Sequence, residues 1–195
     1  MTAWIQSFTG RKLEPLAFTA EQLHPADMAH HLALSCRFTG AVRSFYSVAE
    51  HSVRVASLLL DQPDGARLAR YGILHDASEY VLHDLPRPLK RLPEFEFYRQ
   101  LEAKVQGIIY AAHGLTDPEP PEVKHADLVL LNSERLELLG PAPDSWGELP
   151  PPLSGPQGMG WDPTYAEGMF LTFWRGMFGP KWPLPAPKPS AEGAP

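Results

Sequence analysis

The chain has 195 residues, 44% of them hydrophobic and 21% charged, which is enough for one domain with its own core and no need of disulfides or a structural metal. A net charge of −6 argues against a broad nucleic-acid-binding face, which needs cations to displace counterions, but leaves room for a small anionic substrate met by local cations. No apolar run approaches the ~20 residues of a membrane span, the N-terminus lacks a signal-like pattern, and the lone Cys36 cannot close an internal disulfide, so no membrane association and a cytoplasmic location are expected.

Residues 4–18 mix aromatics with Gly10 and Pro15 and show no helical period, which predicts short extended pieces and turns. Met28, Ala29, Leu32 and Ala33 recur at helical spacing and predict a first helix over 25–36, followed by a loop, 37–46, that alternates cations with aromatics. Ser47 with Glu50 three residues on is a capping-box signature, so a second helix should run from there to about Asp61. Pro63-Asp64-Gly65 is a turn, and a third helix is expected from Ala66 to Val81. Pro86 and Pro88 predict a rigid non-helical segment over 84–90.

A long amphipathic helix is predicted over 94–113, with Phe97, Leu101, Val105, Ile108 and Ile109 on one face and Gly114 past its end. Another follows over 122–139, then a Pro- and Gly-rich loop to 160 and a last helix over 162–178. Phe170, Phe173, Trp174 and Phe178 are more aromatics than one helix ordinarily buries, and they suggest either core packing or a homo-oligomer face. The expected whole is an all-α domain over 1–182 with a disordered Pro-rich tail at 183–195.

Within this frame His51, the pair His75-Asp76, and Asp127 fall in three separate stretches. Two neutral imidazoles and two carboxylates cancel the charge of a divalent cation while leaving coordination positions open, which suits hydrolysis. Mixed nitrogen and oxygen donors fit Mn, Co, Fe, Zn or Mg, and Cys36 lies outside the set. His24, His30, His31 and His113 lack such company and are expected to be structural or solvated.

The order Glu50-His51-Ser52, His75-Asp76-Ala77-Ser78-Glu79, Asp84-Leu85-Pro86-Arg87-Pro88-Leu89-Lys90 and Ala126-Asp127 with Asn132-Ser133-Glu134-Arg135 resembles the HD-domain phosphohydrolases. Within them it is most similar to the small 5′-deoxynucleotidases and the phage-type dATP triphosphohydrolases. The resemblance, over about 29–139, implies His51, His75, Asp76 and Asp127 as metal ligands and Glu79 with Asp84 as the acidic pair that handles water or leaving group. Glu79, four residues after His75, would share its helix face, and Leu85-Pro86 would hold Asp84 in place.

Arg37, Arg43 and Lys90 are candidate phosphate contacts, and Arg87 a looser one for a polyphosphate. Phe38 stands where the resembling nucleotidases carry Trp against the sugar. The expected activity is hydrolysis of a deoxynucleotide at its 5′ phosphoester, from a monophosphate or from a dNTP with release of triphosphate. A cyclic or signalling nucleotide phosphodiesterase, or a metal-free helical binding module, are the alternatives.

Overall fold

The computed structural model describes residues 3–182, so the expected tail lies outside the described residues. The architecture is all-α: among the described residues there are eight helices and a single two-stranded hairpin. The hairpin pairs β1 (Ile5–Gln6) with β2 (Lys12–Leu13) antiparallel. Its turn is tied to α1 (Pro25–Leu34), where buried Asp27 accepts the Thr9 N–H at 2.6 Å and the Thr9 hydroxyl at 2.8 Å.

The central element is α2 (Val48–Leu60), which packs against α1, α3 (Gly65–Gly72), α7 (Pro121–Leu138) and α8 (Pro163–Phe178). Ser47 caps it as predicted, its hydroxyl accepting the Glu50 N–H at 3.0 Å. Glu50 has another use. Its buried carboxylate accepts from the Arg54 guanidinium at 2.9 Å and from the backbone N–H groups of Gly160 and Trp161 at 3.2 and 2.7 Å, tying the 141–160 loop to α2.

Close approach of α3 to α2 depends on Gly72, where a Cβ would lie 2.7 Å from a Leu59 methyl and 3.0 Å from the Ala56 Cα. At the far end of the core, Phe170 and Trp174 of α8 are buried and Trp174 Nε1–H donates to His113 Nε2 at 3.0 Å. Burial pulls His113 down to about 4, so it is a neutral core acceptor. Core packing therefore takes up Phe170 and Trp174, with Phe178 and Trp182 stacked around the same imidazole.

Three expectations are corrected. The predicted third helix stops at Gly72, residues 73–78 form successive turns, and a short α4 (Glu79–Leu82) follows, so His75 and Asp76 are not on a helix. The reason lies in the carbonyls: Gly72 O accepts His75 Nδ1–H at 2.8 Å, and Leu74 O accepts Gln106 Nε2–H at 2.7 Å, so outside donors occupy groups that an α-helical ladder would use. The 84–90 segment contains one helical turn, α5 (Arg87–Lys90), because Pro88 sits in a first turn where its missing N–H costs nothing. Phe97, on α6 (Glu96–Ala112), points to solvent, while Val105 and Ile109 of the same helix are buried. No helix among the described residues is long and apolar enough to cross a membrane.

Candidate metal centre and active site

His51 projects from α2 and His75 and Asp76 from the turns after α3, and one donor atom from each falls within 4.8 Å of the others, a group that could hold a metal ion. The His51 Nε2 to His75 Nε2 distance is 3.1 Å, and Asp76 Oδ2 lies 3.6 Å from His51 Nε2 and 3.2 Å from His75 Nε2. A triangle with these sides has a point about 1.9 Å from each corner, close to the ~2.0–2.1 Å bond between a divalent ion and imidazole nitrogen. Asp127, on α7, brings Oδ1 to 3.4 Å from His51 Nε2.

The tautomers carry the argument for a cation. A carbonyl only accepts, so His75 Nδ1 must be the proton-bearing nitrogen toward Gly72 O. His51 Nδ1 lies 2.5 Å from Glu134 Oε1, and ionised Glu134 likewise only accepts. Both Nε2 atoms then turn lone pairs toward each other and toward two carboxylates. The carboxylates also accept from cations outside the cluster, Asp76 from Arg37 and Asp127 from Lys124, but the two facing Nε2 lone pairs call for a positive charge between them, either a metal ion or a proton.

In the metal-free protein the proton goes to His75. Burial pulls its imidazole down, but the Asp76 and Asp127 carboxylates outweigh burial and raise it to about 9. The same contacts work in reverse on the acids. Burial pushes Asp76 and Asp127 up, yet the adjacent imidazoles hold both below the usual carboxylate range.

Behind the centre lies a buried network built on Glu134 and Tyr46, which sequence reasoning left without a role, and on Arg37, which it read as a phosphate contact. Glu134 Oε1 accepts from the Tyr46 hydroxyl at 2.7 Å as well as from His51, and Oε2 accepts from Arg37 Nη2 at 3.2 Å. Arg37 Nη1 donates at 3.2 Å to Asp76 Oδ2, so one guanidinium links a second-layer acid to a candidate ligand. Burial opposes ionisation of Glu134, but Arg37 and His51 keep it ionised. A signal was present, since Glu134 lies two helical turns after Asp127 and so on the same face of α7.

Glu79 and Asp84 flank the cluster on one side. Glu79 is buried, with Oε2 lacking any hydrogen-bond partner, and burial together with Asp76 and Asp84 pushes its carboxyl well up. Asp84 is also raised, first by burial and then by Asp76, against the pull of Arg37 and Lys90. The chain reaches Asp84 through His83, whose φ of 69° and ψ of 157° fall in a region essentially reserved for glycine. Tyr98 holds that turn, its hydroxyl donating to His83 O at 2.8 Å.

The expected phosphate contacts are dispersed. Arg37 is buried between Asp76 and Glu134. Lys90 is engaged by Glu102 and stands 3.6 Å from Glu79 Oε1, which makes it a partner of the acidic pair. Arg87 lies 3.4 Å from Asp127 Oδ2, where Lys124 also binds. Phe38 adjoins Arg37, whose guanidinium carbon is 5.5 Å from the ring centroid, whereas Arg43 lines a groove with Arg135 and Trp146. His24, His30 and His31 all serve structure: His24 caps α1, His30 meets Glu167 at 2.9 Å, and His31 bonds Tyr80 O at 2.8 Å.

No family model matches the chain. It is 34% identical to the uncharacterized protein YfdR of Escherichia coli over 137 residues, 70% of this chain and 72% of that one. An uncharacterized protein of Rhodobacter capsulatus is also 34% identical, over 64% of this chain and 65% of its own length.

Proposed function

The chain belongs to the family of Escherichia coli YfdR, and from its motif order and the chemistry of the centre we propose that it is a metal-dependent phosphohydrolase of the HD-domain kind, cleaving the 5′ phosphoester of deoxynucleotides. One observation carries the reading: two imidazole lone pairs face each other beside the carboxylates of Asp76 and Asp127, next to the buried carboxyl of Glu79, which burial and its acidic neighbours push well up. His51, His75 and Asp76 would hold the ion, with Asp127 as the fourth ligand.

A divalent ion bound there supplies a Lewis acid toward phosphate oxygen and an acidified water at neutral pH. The chain's own residues divide the rest. Gly72 O and Glu134 fix the imidazole tautomers. Arg37 orients Asp76, and Glu79, whose carboxyl burial, Asp76 and Asp84 push well up, would donate its proton to the departing 5′ oxygen. Asp84, next to it and less strongly raised, serves the attacking water.

The test is phosphate release from dAMP and chromatography of dATP reactions, with and without Mn or Co, alongside metal analysis of wild type and His75→Ala. Metal-dependent loss of either nucleotide is the expected result. Equal metal content in the two proteins would remove the centre, and intact nucleotides over a metal-loaded protein would remove the activity.

A further inference from the structure

Arg43, Arg135 and Trp146 meet in a groove of about 400 Å³, within the ~300–1,000 Å³ range of small-molecule sites. The groove lies at the C-terminal end of α7, eight residues or roughly 12 Å beyond Asp127. A chain of contacts joins it to the centre: Asp76 to Arg37, Arg37 to the Phe38 ring, and the Phe38 ring to Trp146 at a centroid separation of 6.4 Å. Two consecutive non-glycine residues, Phe38 and Thr39, adopt left-handed φ values of 55° and 51° where this path begins, a conformation that sets the direction of the Phe38 ring.

The lining restricts what can bind. Trp146 stays 41% exposed on a Pro- and Gly-rich loop, with Arg135 5.9 Å from its ring centroid, so an aromatic face is left open to a planar ligand. The charged side chains lining the groove, Arg43 and Arg135, offer only donors; Arg135 Nε–H donates to Asn132 Oδ1 at 2.8 Å, and the backbone of Arg43 is tied to α7 by its main-chain N–H donating to Leu138 O at 2.9 Å. A planar group rich in acceptors matches a nucleobase edge such as the O6 and N7 of guanine. The N6 amino group of adenine would oppose the guanidinium donors.

We infer that this groove is a nucleobase subsite with preference for guanine over adenine, in which Trp146 stacks on the ring and Arg43 and Arg135 read its acceptors. Its assignment as the base end of a substrate rests on the phosphohydrolase reading, while its ligand class rests on the groove alone. The test therefore uses neither metal nor turnover. Deoxyguanosine and deoxyadenosine are titrated into the full chain and followed by the Trp146 indole N–H resonance, assigned with Trp146→Phe, and by calorimetry.

Deoxyguanosine should bind about tenfold tighter than deoxyadenosine and shift that resonance. Trp146→Ala should weaken it at least about fivefold, Trp146→Phe much less, and Arg43→Ala should bring the two nucleosides close to equal. Both positions are exposed, so the variants should fold. Equal affinities in wild type, an unchanged Trp146→Ala, or no shift at millimolar nucleoside would overturn the subsite. Selective nucleoside binding without any hydrolysis would leave the subsite standing and remove the phosphohydrolase reading alone.

Discussion

Replacing Glu134 separates the two jobs that the buried network performs. Glu134→Gln can keep its oxygen where Tyr46 and His51 donate at 2.7 and 2.5 Å, but it sets an amide NH₂ against Arg37 Nη2, where the carboxylate oxygen stood at 3.2 Å. A guanidinium with about a tenth of its side chain exposed thus loses its fully buried counter-charge, a change that costs about 3–5 kcal/mol. Glu134→Ala also strands the Tyr46 and His51 donors, at a further ~1.5–3 kcal/mol for each charged hydrogen bond lost. Metal affinity should order the same way, with the glutamine nearer a ~10-fold loss and the alanine nearer ~100-fold. Urea unfolding in chelator reads the first quantity and Mn titration calorimetry the second. Adding Arg37→Met to Glu134→Gln removes the stranded charge, so the double variant should be more stable than the two single losses predict. If the glutamine variant unfolds within ~0.5 kcal/mol of wild type, or the two substitutions are additive within that margin, the ion pair is not what holds Asp76 and His51 in register.

Three further outcomes follow from the same geometry. Since His75 rises to about 9 in the fold from 6.5, its protonation stabilises the chelated protein fully below pH 6.5, and roughly 3 kcal/mol of that is lost as pH climbs through about 9; thermal melts should fall over this window, should flatten with saturating Mn or in His75→Ala, and a flat chelated wild type would contradict the assignment. Glu79→Gln should retain metal in calorimetry yet lower kcat by ~10²–10⁴-fold and abolish the decline of activity at high pH, because a carboxyl raised by burial and by Asp76 and Asp84 acts while protonated; full activity in the glutamine variant would assign the proton elsewhere. His83→Gly should relieve ~1–3 kcal/mol of backbone strain in denaturant melts, less ~0.5–1 kcal/mol for glycine's freedom in the unfolded chain, while turnover falls as Asp84 loosens, and a destabilised variant would show that the φ of 69° is not strained.

What could be read from the sequence, and what could not, divides along the range of the forces involved. The helices at 25–34, 48–60, 96–112, 121–138 and 163–178 each have one apolar face and a local start or stop, such as the Ser47 cap or Gly114 with its φ of +67°, and these act within a few residues. The 73–78 turns defeat periodicity because Ile73, Leu74 and Ala77, all fully buried, recur at a spacing that continues a helical period past Gly72. There the backbone is decided by Gln106, thirty-two residues away from the carbonyl it takes. Lys90 suggested a phosphate contact because a lysine offers a point charge to phosphate oxygens, and its pairing with Glu79 and Glu102 depends on a chain path that no local pattern gives. The ligand types of the centre were visible as His, His, Asp and Asp, yet ligand types alone do not call for a cation. That requirement arises when both imidazoles are forced to put their protons outward, and the forcing groups are a main-chain carbonyl at Gly72 and a carboxylate eighty-three positions from His51. Tautomer choice is therefore the step at which this chain passes from a motif to a centre that could hold a metal ion, and it is made by residues outside the His51, His75 and Asp76 group.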